Sequence, residues 1–330
     1  MSFYSMNVKE EIFNDDNIET LFNIYKNSSF RHPYLNPYNL YQRKLNLGFK
    51  LKVLTFNDQG YMAYISQKFL VNTFLLPGII NSSELYKYAY SFLKRKFIDN
   101  IHSFNTIHFY IDSQELLSLY IKEFNFLDQD LFIDVIYDNN VKWNSQIRHR
   151  AHIKIKKAIQ SGVKIRFLKP SETDLLREWY EKCYTYAYDN KPPFAYSQIQ
   201  EYTKYLLEHD LEKFIIAELD HKILGGTAIL MDKYSNIAWY NLGAICKEGR
   251  EKGVGDLLMN EAINIVKENG KIFELYGKSV YDLDKKHIGI FEFKKNFGRE
   301  IEIPYFSYKN FIIRFMEFAT SLRRRINNDG

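Results

Sequence analysis

Arg250, Gly253 and Gly255 stand in the pattern R-x-x-G-x-G, with Lys252 and Val254 at its variable positions. Residues of these types at this spacing suit a pyrophosphate. Glycines let backbone N–H groups approach an anion, a helix N-terminus adds partial positive charge, and Arg250 and Lys252 supply mobile cations. A turn that merely starts a helix would use the same residues, so context has to separate the two. The motif follows the strand-like "NIAWYNLGA" and opens a helix whose stripe is Val254, Leu258, Ala262, Ile265 and Val266. A further strand and helix follow in order, and the expectation is a phosphate-binding loop made of Arg250, Lys252, Gly253, Val254 and Gly255.

The elements that must position this loop are legible around it. "KFIIAEL" and "KILGGTAILM" read as a hairpin turning at Asp220 and His221, and Asn269 and Gly270 suit a left-handed end to the helix. "KIFELYG", "KHIGIFEFKKNFG" and "EIEIPYF" read as strand, helix and strand. Much the same order recurs in the first half: the hairpin "KLKVLTF"/"YMAYISQ", a helix in "SSELYKYAYSFLKRKF", the strand "TIHFYI", a helix in "SQELLSLYIKEFNF", and the strand "LFIDVIY". Each half closes on a helix with a Lys and a Phe before a strand, Lys122 and Phe124 in one and Lys294 and Phe297 in the other. Between the halves, "WNSQIRHRAHIKIKKAIQSGVKI" reads as a basic linking helix with Ile147, Ala151, Ile155 and Ala158 on one face, stopped by Gly162. Further helices are expected from about Glu172 to Tyr188 and from about Ser197 to Glu208. The expected fold is mixed α/β (α+β), two tandem domains, each a mixed and mainly antiparallel sheet flanked by helices. The boundaries are 1–141 and 142–310, with a C-terminal basic helix at 311–330.

A chain of 330 residues can bury two cores, and its composition is that of a globular protein. Tyr and Phe number 26 each, so a single tyrosine near a motif carries little weight. The net charge of +5 favours anionic ligands only weakly. Cys183 and Cys246 offer neither a disulfide framework nor metal-ligand spacing and read as a structural pair of thiols in a reducing compartment. No metal is expected. With no signal-like start and no long apolar run, the expected location is cytoplasmic. The apolar face and the triplet Arg323, Arg324 and Arg325 of the C-terminal stretch read as a packed helix with a solvated basic end, in preference to peripheral membrane contact.

The segment from Lys213 to Phe306 resembles the GNAT acyltransferases, whose acyl-CoA loop "REKGVG" fits at each specified position. With the basic helix, "YNLGA" and "FEFKKNFG", the chain also resembles the Fem group of cell-wall aminoacyltransferases, which are two GNAT-like domains in tandem. The resemblance implies that two central strands splay apart and that the acyl carbonyl binds there, which makes Tyr240 and Asn241 candidates for contacting the acyl group or the acceptor. GNAT enzymes commonly protonate the departing thiolate with a tyrosine near the last helix. Here that helix carries Phe291, Glu292 and Phe293, and Tyr276 and Tyr281 are the candidates in its place. The lysine of F-K-x-x-F-G falls on Lys294, which would stabilise the oxyanion or neutralise a donor phosphate.

Acyl transfer to an amine needs a neutral nucleophile, a polarised carbonyl and a path for protons. Glu274 is the candidate base, beside a water chain. The first half has no glycine loop and is expected to support the acceptor site. The first expectation is an N-acyltransferase moving an acyl group from acyl-CoA, such as acetyl-CoA, to an amine of a cell-envelope or glycan precursor, nucleotide-linked precursors included. The alternative is a Fem-like aminoacyltransferase using aminoacyl-tRNA, consistent with the basic helix; a non-catalytic binding module is the third. Nothing points to DNA.

Overall fold

A computed structural model describes residues 8–28, 31–48, 51–57, 59–66, 72–80, 105–110, 128–138, 148–279 and 284–309. The helices expected in "SSELYKYAYSFLKRKF" and "SQELLSLYIKEFNF", the basic segment 311–330, Ile147 and Tyr281 lie outside the described residues. The chain forms two compact units that interleave in sequence: Met1–Phe30, Phe49–Leu131 and Ile303–Gly330 in one, Arg31–Gly48 and Phe132–Glu302 in the other. This differs from contiguous domains at 1–141 and 142–310. Residues 31–48 and 132–138 group with the second unit, and 303–309 with the first.

In the first unit, β1 (Val8–Ile12), β2 (Leu51–Phe56), β3 (Gly60–Ser66) and β4 (Asn72–Ile80) pair antiparallel in that order. Asn57, at φ +48, makes the expected turn between β2 and β3. β4 then pairs in parallel with β5 (Asn105–Tyr110), which is antiparallel to Tyr305–Lys309. Helix α1 (Asp15–Asn27) starts on a reciprocal cap, Asn14 and Asn17 each accepting the other's backbone N–H, and buries Ile18, Leu21, Ile24 and Tyr25.

The second unit repeats that pattern. It begins with α2 (Pro37–Leu47) and takes in most of β6 (Asp128–Tyr137). After α3 (His149–Gln160), strands β7 (Lys164–Phe167), β8 (Glu212–Leu219), β9 (Lys222–Leu230) and β10 (Ile237–Ile245) pair antiparallel. β10 pairs in parallel with β11 (Ile272–Glu274), and β11 is antiparallel to β6. The same order of pairings, four strands antiparallel, one parallel step and one antiparallel closure, therefore occurs in both units.

Asp220 and His221 both take positive φ, +49 and +61, as a tight hairpin turn whose twist matches its strands demands. Residues 170–187 form a continuous helical run that passes from a tight turn (Pro170–Leu175) through Leu176–Trp179 into a wide turn (Tyr180–Tyr184). Helix α4 (Tyr196–Glu208) follows. Helices α5 (Lys247–Lys252) and α6 (Val254–Glu268) meet at Gly253, and α7 (Lys285–Lys294) precedes β12 (Arg299–Lys309). The core of this unit is the α6 stripe, Val254, Leu258, Ala262, Ile265 and Val266, packed with Ala151, Ile155 and Ala158 of α3 and the apolar side chains of β8 to β11. Among the described residues no helix is long and apolar enough to cross a membrane.

Candidate active site

β10 and β11 stay together for three residues each, Ile237–Trp239 against Ile272–Glu274. Beyond that point β10 runs on to Ile245, while the other strand leaves: Leu275 N–H bonds the Val135 carbonyl of β6 at 2.9 Å and Tyr276 turns at φ +62. The close passage against β6 excludes a side chain at Gly277, whose Cβ would lie 1.6 Å from the Ile133 carbonyl oxygen. A wedge results, and Tyr240, Glu274, Tyr276 and Lys294 gather at it.

Lys294, buried on the last turn of α7, donates from Nζ to the Tyr276 carbonyl at 3.0 Å. Its ammonium lies 5.1 Å from the centre of the Tyr240 ring and 5.6 Å from that of Tyr276. Burial lowers its pKa to about 8 against the opposing pull of Asp134 and Glu274. Tyr240 is folded over Gly243, where an added Cβ would meet its hydroxyl at 1.9 Å, and bonds Thr227. Burial raises its pKa.

Two carboxyls share this buried space. Asp134 on β6 accepts the Val135 N–H at 2.7 Å through Oδ1, and its Oδ2 has no N–H or hydroxyl donor among the described residues. It faces Glu274, and burial followed by the Glu274 charge pushes the Asp134 pKa well up; burial raises Glu274 as well. Adjacent buried carboxylates cannot both ionise, so the pair holds one proton, which satisfies Asp134 Oδ2, and one negative charge, which balances Lys294. His32 completes the set. Tyr34 N–H donates to its Nδ1 at 3.1 Å, so the ring proton sits on Nε2 and is donated to Glu274 Oε2 at 2.9 Å. Burial lowers the His32 pKa to about 3, which keeps the imidazole neutral.

Asn241 points elsewhere. Its Oδ1 accepts from Arg43 Nη2 and its Nδ2 donates to Glu212 Oε2, both at 2.8 Å. Arg43 also lies 4.3 Å above the Tyr34 ring, and Tyr34 packs on Trp239 at 5.4 Å between ring centres. Trp239 in turn meets Tyr276 at 5.3 Å. Burial raises the Glu212 pKa to about 8, so at neutral pH the carboxyl is held mainly as the acid. This second cluster continues the first along the sheet, both of them reached by residues 31–48.

The R-x-x-G-x-G turn is not an open cradle. Residues 253–259 are all buried. Gly253 takes φ +80, and a Cβ there would stand 2.6 Å from the Lys154 carbonyl oxygen of α3. Lys157 Nζ caps the Glu251 carbonyl at 2.8 Å. Asp256 fills the first turn of α6, buried, with Lys154 Nζ 3.7 Å away and Oδ1 unpartnered among the described residues. Burial raises its pKa, opposed by Lys154. Arg250 is exposed and lies 4.8 Å from the Tyr186 ring, while Lys252 reaches Glu248 at 3.8 Å.

Residues 173–292 match the acetyltransferase (GNAT) family. The whole chain superposes on FemX with a TM-score of 0.64 at 11% identity, covering 92% of this chain and 97% of that one. The C-terminal domain of a putative lysylphosphatidylglycerol synthetase from Agrobacterium fabrum gives 0.61 at 12%, covering 93% and 96%. A tandem GNAT protein from the clavulanic acid biosynthesis pathway gives 0.51 at 8%, covering 92% and 98%. The chain has the GNAT fold. No curated protein matches its sequence. The family match supports a transferase; at these identities the structural likenesses carry the fold alone.

By the GNAT resemblance an acyl carbonyl would bind at the wedge between β10 and β11, and a CoA pyrophosphate would sit at the start of α6. The residues there do not fit that group. A buried carboxylate occupies the helix start, and α3 covers the glycine turn. His32, Arg43, Asp134, Glu212 and Asp256 are the functional candidates that motif reading missed. Asp134 has a visible signal, an acid inside the apolar strand "LFIDVIY"; His32 and Arg43 have none, because they reach the site from a segment far off in sequence.

Proposed function

We propose that the chain transfers an aminoacyl group from a charged tRNA to an amine of a cell-envelope or glycan precursor. The observation that carries the donor is the burial of the Gly253 turn beneath α3, with Asp256 at the helix start. α3 exposes Arg150, Lys156 and, although they also reach the start of α6, Lys154 and Lys157, with exposed Arg148 just before it, a surface suited to RNA phosphates. The amine acceptor rests on the Fem resemblance.

In this reading the ester carbonyl enters the wedge beside Tyr240. The amine attacks, and negative charge grows on the carbonyl oxygen near the Lys294 ammonium. That cation is already desolvated, so its field acts at full strength without reorganisation. The ionised member of the Asp134–Glu274 pair receives the amine proton, and the shared acid proton can return to the departing ribose oxygen. His32 holds Glu274 in place, and Tyr276 presents its ring at the open edge of the wedge.

The test is transfer of a labelled aminoacyl group from a panel of charged tRNAs to amine-bearing precursors, run beside thermal melts with acetyl-CoA. Transfer from tRNA with no stabilisation by acetyl-CoA is the expected result. A melting shift and acetyl transfer with acetyl-CoA would restore the acyl-CoA reading, which draws on the R-x-x-G-x-G match itself. Neither binding nor transfer with either donor would leave a non-catalytic module.

A further inference from the structure

The chain's two cysteines are distant in sequence and meet in the fold. Cys183 lies in the wide turn Tyr180–Tyr184 and is fully buried; Cys246, at the junction of β10 and α5, is partly exposed. The Cys183 thiol is hydrogen-bonded to the Cys246 sulfur. Cys246 Sγ also accepts the Gly249 N–H at 3.4 Å. The backbones beneath them are fixed to each other. Trp179 Nε1 donates to the Ala244 carbonyl at 3.2 Å, two residues before Cys246, and Arg250 lies over Tyr186, three residues after Cys183. The charged groups around the pair are Glu248 on α5 and Glu178 and Lys182 on the helical run.

We propose that Cys183 and Cys246 form a peroxide-oxidisable dithiol whose disulfide ties α5, and the glycine turn after it, to the helical run of residues 170–187. The two sulfurs have different tasks. Two bonds stabilise negative charge on Cys246, the Cys183 S–H and the Gly249 N–H, and its pKa falls to about 6, chiefly through the Cys183 bond. A partly exposed thiolate is the group that meets an oxidant first. Cys183, whose pKa the same bond and burial raise, stays a thiol and is placed to resolve.

With hydrogen peroxide as oxidant, the Cys246 thiolate attacks one peroxide oxygen, the O–O bond breaks, and the departing hydroxide takes a proton to become water. This leaves a sulfenic acid on Cys246. The Cys183 sulfur then gives up its proton and attacks the Cys246 sulfur; the S–O bond breaks and a second water leaves. Two thiols and one peroxide become one disulfide and two waters, and no other reactant is needed.

The test is brief treatment of the full chain with hydrogen peroxide, alkylation under denaturing conditions, and peptide mapping by mass spectrometry. A linked peptide carrying Cys183 and Cys246, in a monomeric chain, is expected, with both alkylation sites recovered by reductant. In Cys183→Ser the sulfenic acid on Cys246 should persist, be trapped by dimedone and advance to sulfinic acid. In Cys246→Ser, Cys183 should remain fully alkylatable. Sulfinic acid on Cys246 in the unmutated chain, disulfides only between chains, or two intact thiols after treatment would each overturn the proposal. The assay reads sulfur chemistry alone and stands whether or not the tRNA reading holds.

Discussion

Gly253→Ala and Gly255→Ala separate a glycine turn built for packing from one built for phosphate. At Gly253 the backbone is left-handed at φ +80, which costs an L-residue about 1 kcal/mol. The new methyl would also stand 2.6 Å from the Lys154 carbonyl oxygen and 3.1 Å from its carbon. Both are main-chain atoms of a packed helix, so α3 must move off α6, an overpacking cost of about 1–3 kcal/mol. The sum is about 2–4 kcal/mol. At Gly255 the methyl crowds Ile245 Cδ1, at 2.6 Å, the free end of a side chain that can rotate, and makes ordinary contact with the Phe293 ring at 3.7 Å. That strain is offset by a helix-propensity gain of up to about 1 kcal/mol inside α6. Urea denaturation of the two variants beside the parent should therefore show a large loss for Gly253→Ala and a change within about 1 kcal/mol for Gly255→Ala, at unchanged slope. A Gly253→Ala cost below about 1 kcal/mol, or equal costs at the two sites, would refute the packing of α3 on this turn and return the loop to phosphate binding.

Gly277→Ala should cost at least about 3 kcal/mol in the same assay, because its methyl meets the Ile133 backbone of β6 at 1.6 Å. Glu212, with its folded pKa raised from 4.5 to about 8, contributes stability that is full below pH 4.5 and lost as pH rises towards about 8. Glu212→Gln keeps the acceptor for Asn241 and removes that dependence, so it should gain on the parent by a few kcal/mol between acid and pH 8 in paired urea titrations. Lys294→Met should lower kcat for transfer by on the order of a hundredfold or more, while near-ultraviolet circular dichroism stays that of the parent, since the Asp134–Glu274 pair can neutralise itself with a second proton.

The periodic parts of this fold were readable because each depends on neighbours in sequence. The α6 stripe, the Asp220–His221 turn and the Gly162 and Gly270 helix ends all follow from local spacing and left-handed backbone needs. That Tyr240, Glu274, Tyr276 and Lys294 come together was readable for the same reason, since they lie on or beside the strands and helix that the GNAT pattern orders. Asn241 was readable as a residue of β10 but not as a partner of Arg43, because strand alternation fixes a face and not what covers it. The glycine loop shows the limit most clearly. R-x-x-G-x-G describes a turn that lets something approach, and a main-chain carbonyl of α3 satisfies that description as well as a phosphate does.

Charge balance argues that the working unit is larger than the segment matching the GNAT family. Residues 173–292 hold Glu274 and Glu212 but leave out His32, Arg43, Asp134 and Lys294. In that segment alone Glu274 would lose its hydrogen-bond donor, its proton-sharing acid and its cation together. Glu212 would keep Asn241 but lose the Arg43 charge that opposes its burial. A buried carboxyl stripped of such partners costs several kcal/mol, a large part of the stability of a domain. The additional residues come from 31–48, from β6 and from the last turn of α7, so the interleaving of the chain is what sets the Lys294 charge against that of the Asp134–Glu274 pair. A desolvated wedge is also what lets one lysine act strongly on a developing oxyanion. The chain order that obscured the domain boundaries is thus the same feature that assembles the chemistry.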